Sequence, residues 1–148
     1  MTQLAADTEL DFRIELERWI SASIDDVFGA LLAQLGPEAT THEGNTLSMK
    51  IEPFPGGRWY RDLGDNNGHH WAHVQAIKRP TLLELTGPLF MSRGVCNNVQ
   101  YRLEEMDGVT TLRFVHSALG YLSEELREGM TDGWSDQLDR IASRAGGA

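Results

Sequence analysis

Residues 123–144 read SEELREGMTDGWSDQLDRIASR, and this stretch has the pattern of one long amphipathic helix. Ser123 is placed to cap its first turn. The apolar side chains recur every three or four residues and share one face, while the acidic side chains lie elsewhere. That apolar face consists of Leu126, Met130, Trp134, Leu138 and Ile141. Such a helix requires a second apolar layer to cover it.

Two glycines interrupt this helix. Gly129 and Gly133 each cost roughly 1 kcal/mol relative to alanine inside a helix. The cost is explained if a side chain or a ligand must come close to the helix backbone. Both a simple packing notch and an opening toward a ligand fit the sequence.

The N-terminal part predicts a strand followed by a helix. Apolar and charged side chains alternate over residues 12–20, which is the period of a strand with one buried face. Ser23 can then cap a helix whose first turn carries Asp25 and Asp26. The helix is expected to stop at Gly36-Pro37.

The middle of the chain predicts an antiparallel meander, because short strand patterns alternate with turn residues. The clearest turn is Met106-Asp107-Gly108. Residues 88–96 are apolar but aperiodic, so they are expected to form a loop and are a candidate lid. The predicted strands are 46–52, 57–63, 69–78, 82–87, 97–105 and 110–117.

The composition limits the classes of function. Of 148 residues, 41% are hydrophobic, which predicts a single domain over residues 1–148. Its structured core is expected to cover about residues 11–144. A lead-in (1–10) and a tail (146–148) flank this core. Acidic residues outnumber basic ones by 22 to 13, and the net charge of -9 disfavours nucleic acid and anionic membrane surfaces as partners.

The cysteine count and the N-terminus bear on the compartment. Cys96 is the only cysteine, so the chain can form no internal disulfide and no cysteine-based zinc site, which suits a reducing compartment. No run of about 18 apolar residues could span a membrane, and the acidic N-terminus lacks the pattern of a secretion signal. We therefore expect a cytoplasmic protein that is not bound to a membrane.

The order of one strand, a capped helix, six strands and a long helix resembles the START-like or SRPBCC superfamily. More narrowly, it resembles the family named after the C-terminal domain of the activator of the heat-shock protein 90 ATPase. Order and spacing over about residues 12–144 carry the resemblance, since no single motif is specific. The segments concerned are 22–28, 55–59, 73–77 with Pro80, 82–85, and Gly133-Trp134 with Leu138.

This resemblance implies an α+β helix-grip fold, in which a curved antiparallel sheet of about seven strands wraps around the C-terminal helix. It also implies a deep cavity between the sheet and that helix. Across the superfamily such cavities hold lipids, sterols, polyketides and other apolar molecules. Some members are enzymes, many are carriers or sensors, and one branch binds a chaperone. The activator itself has a further N-terminal domain that this module does not contain.

Large side chains are the candidates for the cavity wall. Three tryptophans are expected to converge, two from consecutive strands and one from the last helix. Strand alternation adds a tyrosine, a phenylalanine and a histidine, and the aperiodic loop adds two side chains that could cover the mouth. Ordinary core packing is the alternative for each. The candidate ligand-binding residues are Trp59, Trp71, Phe90, Met91, Tyr101, Phe114, His116, Met130 and Trp134.

His116 is also a weak candidate for acid–base catalysis. Alternation places it on the inner face with Leu112 and Phe114, where a neutral imidazole could bind a ligand oxygen or exchange a proton. The alternative is a core histidine whose nitrogens are satisfied by neighbouring groups. The sequence contains no further catalytic motif that we would assign.

Two other polar patterns allow a functional interpretation. His69 and His73 would share a metal ion on a helix, but on a strand they are roughly 13 Å apart, with His70 on the opposite face. No metal site and no cofactor are therefore predicted. Arg61 and Asp62 alternate, so only one faces inward, and an inward Arg61 would need a carboxylate from the protein or from an acidic ligand. A solvent-facing ion pair is the alternative.

Three functions remain open at this point. The leading hypothesis is a binding protein that holds a largely apolar small molecule in the cavity. The second is a module that binds a protein partner, such as a chaperone. The third is a cavity enzyme of the cyclase, dehydratase or hydrolase type, although a protein without catalytic activity is favoured. The sequence does not distinguish a monomer from a homodimer.

Overall fold

Within residues 11–41 and 43–146, which the computed structural model describes, the chain forms seven strands and two helices. The predicted lead-in 1–10 and residues 147–148 of the predicted tail lie outside the described residues. The elements are β1 (Asp11–Ile20), α1 (Ile24–Leu35), β2 (Met49–Ile51), β3 (Arg58–Gly64), β4 (Asn67–Lys78), β5 (Leu82–Gly87), β6 (Val95–Met106), β7 (Val109–Gly120) and α2 (Glu124–Gly146).

The strands form one curved antiparallel sheet in the order β1-β7-β6-β5-β4-β3-β2. Helix α2 packs against α1 and β1, and its face of Met130, Trp134, Leu138 and Ile141 is buried. The core therefore lies between this face, the concave side of the sheet and α1. The predicted α+β helix-grip arrangement is confirmed.

Helix α1 begins and ends where the sequence predicts. The Ser23 hydroxyl accepts a hydrogen bond of 3.1 Å from the backbone N–H of Asp26, which satisfies one free donor of the first turn. At the other end, the N–H of Gly36 donates to the carbonyls of Leu32 and Ala33. These caps fix α1 against the sheet next to β2.

The β6–β7 hairpin is also as predicted. Met106 pairs with Val109, and the two residues between them, Asp107 (φ 52°) and Gly108 (φ 79°), are both left-handed. Two left-handed residues make the tight turn that matches the twist of the flanking strands. This turn sets the register of the longest strand pair in the sheet.

The predicted strand 46–52 and the predicted loop 88–96 are wrong in extent, and β7 continues three residues past its predicted end, to Gly120. The predicted strand 46–52 shrinks to Met49–Ile51, because Ser48 has a φ of 56° and Thr46 makes only an isolated bridge with Thr40. The predicted loop 88–96 ends two residues early, since Val95 and Cys96 pair with β7 and belong to β6.

Strand β4 contains an irregularity that changes which side chains face inward. Trp59 of β3 pairs with Ala72, and the next residue, Tyr60, pairs with His70, so Trp71 is an extra residue. His69 therefore faces the concave side, while His73 shares the outer face with His70. The prediction that His69 and His73 share a face was wrong, because an inserted residue reverses the alternation beyond it.

No helix among the described residues is long and apolar enough to cross a membrane.

Candidate functional site

A cavity of about 350 Å³ lies between α2 and the β2–β4 part of the sheet. This volume falls in the range of about 300–1,000 Å³ that is usual for small-molecule sites. The sheet side and the loops contribute Ala39, Thr40, Leu47, Met49, Trp59, Trp71 and Phe90. The helices contribute Gln34, Leu126, Gly129, Met130, Gly133, Trp134, Asp136, Gln137 and Arg140.

Three of the lining residues are tryptophans whose indole N–H groups are all bonded to other protein groups. A buried indole N–H needs an acceptor, and each of these finds one without using the cavity. The rings therefore offer apolar surface to whatever occupies the cavity. The hydrogen bonds run from Trp59 to the Leu35 carbonyl (2.8 Å), from Trp71 to Nδ1 of His69 (3.2 Å) and from Trp134 to Nδ1 of His116 (3.0 Å).

The aromatic rings on the sheet side pack against one another. Trp59 and Trp71 meet edge to face with ring centroids 5.2 Å apart, and Trp71 meets Phe90 at 5.8 Å. Phe90 comes from the loop between β5 and β6, which the sequence predicts to be a lid, and its side chain remains 42% exposed. This loop therefore supplies one partly exposed side of the cavity wall.

Four of the nine predicted ligand-binding residues do not line the cavity. Tyr101 and Phe114 are fully buried and pack behind Trp134, with Phe114 and Trp134 centroids 4.9 Å apart. His116 is buried on the same side of Trp134, and Met91 is a buried anchor of the loop. The five that do line the cavity are Trp59, Trp71, Phe90, Met130 and Trp134, and their role in binding stays a prediction.

His116 has no free ring nitrogen. Trp134 donates to its Nδ1, so Nε2 carries the hydrogen and donates to Oδ1 of Asn97 across 2.8 Å. Burial without a nearby carboxylate lowers the pKa of His116 to about 4. The ring is therefore neutral at physiological pH. This geometry matches the satisfied core histidine that was the alternative to a catalytic role.

Gln137 is a polar lining residue that the sequence analysis missed. Its Oε1 accepts a hydrogen bond of 2.6 Å from the buried hydroxyl of Tyr101, and burial raises the pKa of that phenol well above its usual range. With Oε1 so occupied, the amide Nε2 can donate toward the cavity. Helical spacing was the available signal, since Gln137 follows Met130 by seven residues and Trp134 by three.

The charged groups of the wall pair with each other. Arg140 and Asp136 form an ion pair of 2.9 Å one turn apart on α2, and Arg140 also donates to the Thr40 hydroxyl. These groups therefore neutralise one another in the wall of the cavity.

Within residues 11–41 and 43–146 there is no cluster of three or more His, Cys, Asp or Glu residues that could hold a metal ion.

The two helix glycines open onto the cavity. Gly129 and Gly133 both line it, and a Cβ built at either position would meet no heavy atom within 4 Å. No side chain packs into the space that their missing Cβ atoms leave. The packing-notch interpretation of these glycines is therefore not what the geometry shows.

Comparison with solved structures supports this architecture. CalU16 from Micromonospora echinospora has a TM-score of 0.63 and 20% identity over 90% of this chain and 75% of that one. An uncharacterized protein from Rhizobium leguminosarum has a TM-score of 0.72 and 21% identity over 91% and 94%. The di-domain ARO/CYC protein BexL from the BE-7585A biosynthetic pathway has a TM-score of 0.67 and 17% identity over 97% and 53%. At these identities the likeness concerns the fold.

Comparison with curated proteins gives no match. A family model described as Activator of Hsp90 ATPase homolog 1-like protein matches residues 21–146, which covers α1, the strands β2–β7 and α2. The match agrees with the resemblance read from the order and spacing of the sequence. The chain therefore belongs to the Activator of Hsp90 ATPase homolog 1-like family.

Proposed function

We propose that this protein binds a small, largely apolar molecule in the cavity between the sheet and α2. The observation that carries the proposal is the wall itself. Trp59, Trp71 and Trp134 line the cavity while their polar N–H groups are bonded elsewhere. No side chain fills the volume inside this apolar wall. Binding of an apolar ligand there is favourable, because the ligand displaces poorly bonded water.

Two hydrogen bonds fix the positions of tryptophan rings in the cavity wall. The Trp59 ring is fixed to the last turn of α1 through the Leu35 carbonyl, and Trp134 is fixed to β7 through His116. On the helix side, the exposed Gly129 and Gly133 line the cavity without a side chain, at a cost in helix stability of about 1 kcal/mol each. Such a cost is more readily explained by a ligand than by packing.

Gln137 supplies a polar contact within this apolar wall. Its Oε1 is held by Tyr101, so the amide is oriented before any ligand arrives. An oriented donor in an apolar pocket favours a ligand with an acceptor oxygen at the matching position.

The fold likeness to BexL supports the proposal in a limited way. That protein is described as a di-domain ARO/CYC protein from the BE-7585A biosynthetic pathway, so one protein of similar fold belongs to a biosynthetic pathway. The proposal for this chain rests on its own cavity, because identity to BexL is only 17%.

The first experiment is native mass spectrometry of the purified protein before and after organic extraction. It is followed by thermal unfolding with two neutral apolar probes, 1-decanol and 2-naphthol. We expect a mass that is lost on extraction, or a rise in Tm with a probe, since a ligand at 100 times its Kd stabilises the folded state by about 2.7 kcal/mol. The proposal is wrong if the bare chain is the only species and no probe raises Tm.

Matched variants assign any binding to this cavity. Gly133→Leu places a large side chain in the cavity, so it should abolish the retained mass and the rise in Tm. Gly29→Leu makes the same change in α1 at a position outside the cavity lining, where a Cβ also meets nothing within 4 Å. Binding should survive in that control.

A catalytic function and a chaperone partner stay alternatives. Both nitrogens of His116 are occupied, so the one acid–base candidate is not free to transfer a proton. The chaperone-binding hypothesis rests on the family relationship, and capture of the chaperone at low salt would test it. The cytoplasmic location also stays a prediction, and no choice is made between a monomer and a homodimer.

A further inference from the structure

An arginine side chain, Arg61, lies beside the sheet wall of the cavity without lining it. Together with His69 it lines a separate recess at the β3–β4 turn. Arg61 pairs with Met49 of β2 on one side and with His69 of β4 on the other. Directly paired residues share a face of the sheet, and Met49 lines the cavity. Arg61 therefore faces the concave side, two residues beyond Trp59 or about 7 Å toward the β3–β4 turn.

This arginine has no partner in the described part of the chain. Its Nε is buried without a hydrogen bond, and no hydrogen bond or ion pair joins its side chain to residues 11–41 or 43–146. The adjacent carboxylate, Asp62, is bonded to Lys50 at 2.7 Å and to the N–H of Gly64 at 2.9 Å. A partly buried guanidinium group without a carboxylate is unfavourable, and an anion from outside would relieve this cost.

The residue paired with Arg61 is a second donor. Nδ1 of His69 accepts the hydrogen bond from Trp71, so the hydrogen of a neutral ring is carried by Nε2. Trp71 itself lines the cavity. Two neighbouring side chains thus offer donors next to the apolar wall, at the end that points toward the turn.

We infer that the ligand is an apolar carboxylic acid whose carboxylate is bound by Arg61 and His69 while its apolar body lies between Trp59, Trp71 and α2. This inference rests on the proposed function and names its ligand class. Arginine binds a carboxylate through two parallel hydrogen bonds, which a neutral amide cannot match. In a chain with a net charge of -9, recognition of an acid needs such a local cation.

The test compares acids with their uncharged primary amides. Decanoic acid, 4-phenylbutanoic acid and 2-naphthoic acid, each with its amide, are titrated into the full chain by calorimetry at pH 7. We expect at least one acid to bind about tenfold or more tightly than its amide. In Arg61→Gln this preference should disappear while the amide binds as in wild type, and Arg61→Lys should retain part of it.

A control variant and three further outcomes test whether Arg61 binds the carboxylate. Arg113→Gln removes an exposed arginine of β7 that pairs with Glu17 on the outer face, and the preference for the acid should persist in it. Equal binding of acids and amides to wild type overturns this inference and leaves the proposed function standing. A preference that survives in Arg61→Gln also overturns it. If no acid or amide binds, this inference fails, while the proposed function is decided separately by the retained mass and the two neutral probes.

Discussion

The indole Nε1 of Trp134 donates a hydrogen bond of 3.0 Å to Nδ1 of His116, which joins the wall of the cavity to the centre of the sheet. Because Nδ1 accepts, Nε2 must donate, and Asn97 is the acceptor at 2.8 Å. Protonation of Nδ1 would turn this acceptor into a donor facing the indole N–H. The wall of the cavity is therefore coupled to the protonation state of a buried histidine.

Acid should weaken the folded state through this histidine. The pKa of His116 is about 4 in the folded protein, below the ordinary value of roughly 6.5 in the unfolded chain. Its contribution to stability is therefore complete above about pH 6.5 and is lost as the pH falls toward 4, because the unfolded chain then binds the extra proton. In that window the ratio of folded to unfolded protein should fall about tenfold per pH unit from this residue alone.

Urea unfolding at pH 7.5, 6.5, 5.5 and 4.5 measures the effect. His116→Gln keeps a polar side chain at this position but cannot titrate, so its free energy of unfolding should change less with pH over the same range. Equal pH dependence in the variant and in wild type would contradict the assignment to His116.

The hydrogen bond from Trp59 to the Leu35 carbonyl should contribute to stability. Both groups are buried and 2.8 Å apart, so Trp59→Phe leaves a buried carbonyl without its partner and should cost about 1–3 kcal/mol. Trp19 is 68% exposed, and Trp19→Phe should change stability by less than about 0.5 kcal/mol. Urea unfolding compares the two variants, and similar losses in both would argue against the proposed bond.

The β6–β7 turn allows a prediction about backbone strain alone. Gly108 has a φ of 79°, and a Cβ there would meet no atom within 4 Å. Gly108→Ala should therefore destabilise by about 1–2 kcal/mol through its left-handed conformation. At Gly94 there is equal space and no such φ, so Gly94→Ala should be close to neutral. A cost at both positions would point to the added methyl group itself rather than to strain of the left-handed conformation.

Alternation along β6 and β7 was sufficient to place Tyr101 and His116 on the inner face, and the structure confirms that both are buried there. The sequence predicts their side because the turn at Asp107-Gly108 fixes the register of the two strands. The extra residue in β4 leaves no such signal. For that reason His73 could not be assigned to the outer face from the sequence.

The lining of the cavity was harder to predict than the core. Whether an inner side chain reaches the cavity depends on where α2 crosses the sheet, and sequence spacing does not give that position. Trp134 packs on Phe114, and Phe114 packs on Tyr101, so two predicted lining residues lie behind the wall. Gln137 was missed because an apolar helix face is recognised by its apolar residues, although the helical spacing also places this polar residue on that face.

Replacing the helix glycines by alanine should raise the stability of the unliganded protein and weaken binding of an apolar probe. Gly129→Ala and Gly133→Ala each restore helix propensity without a clash, so the unliganded protein should become more stable by up to about 1 kcal/mol per change. Both methyl groups add to the lining of the cavity, so a bound apolar probe should raise Tm less than it does in wild type. Gly29→Ala in α1 gives the same helix benefit outside the cavity lining, and it should leave probe binding unchanged.

Thermal unfolding with and without 2-naphthol measures both effects. If Gly129→Ala and Gly133→Ala stabilise the protein and bind the probe as well as Gly29→Ala does, these glycines do not serve the ligand.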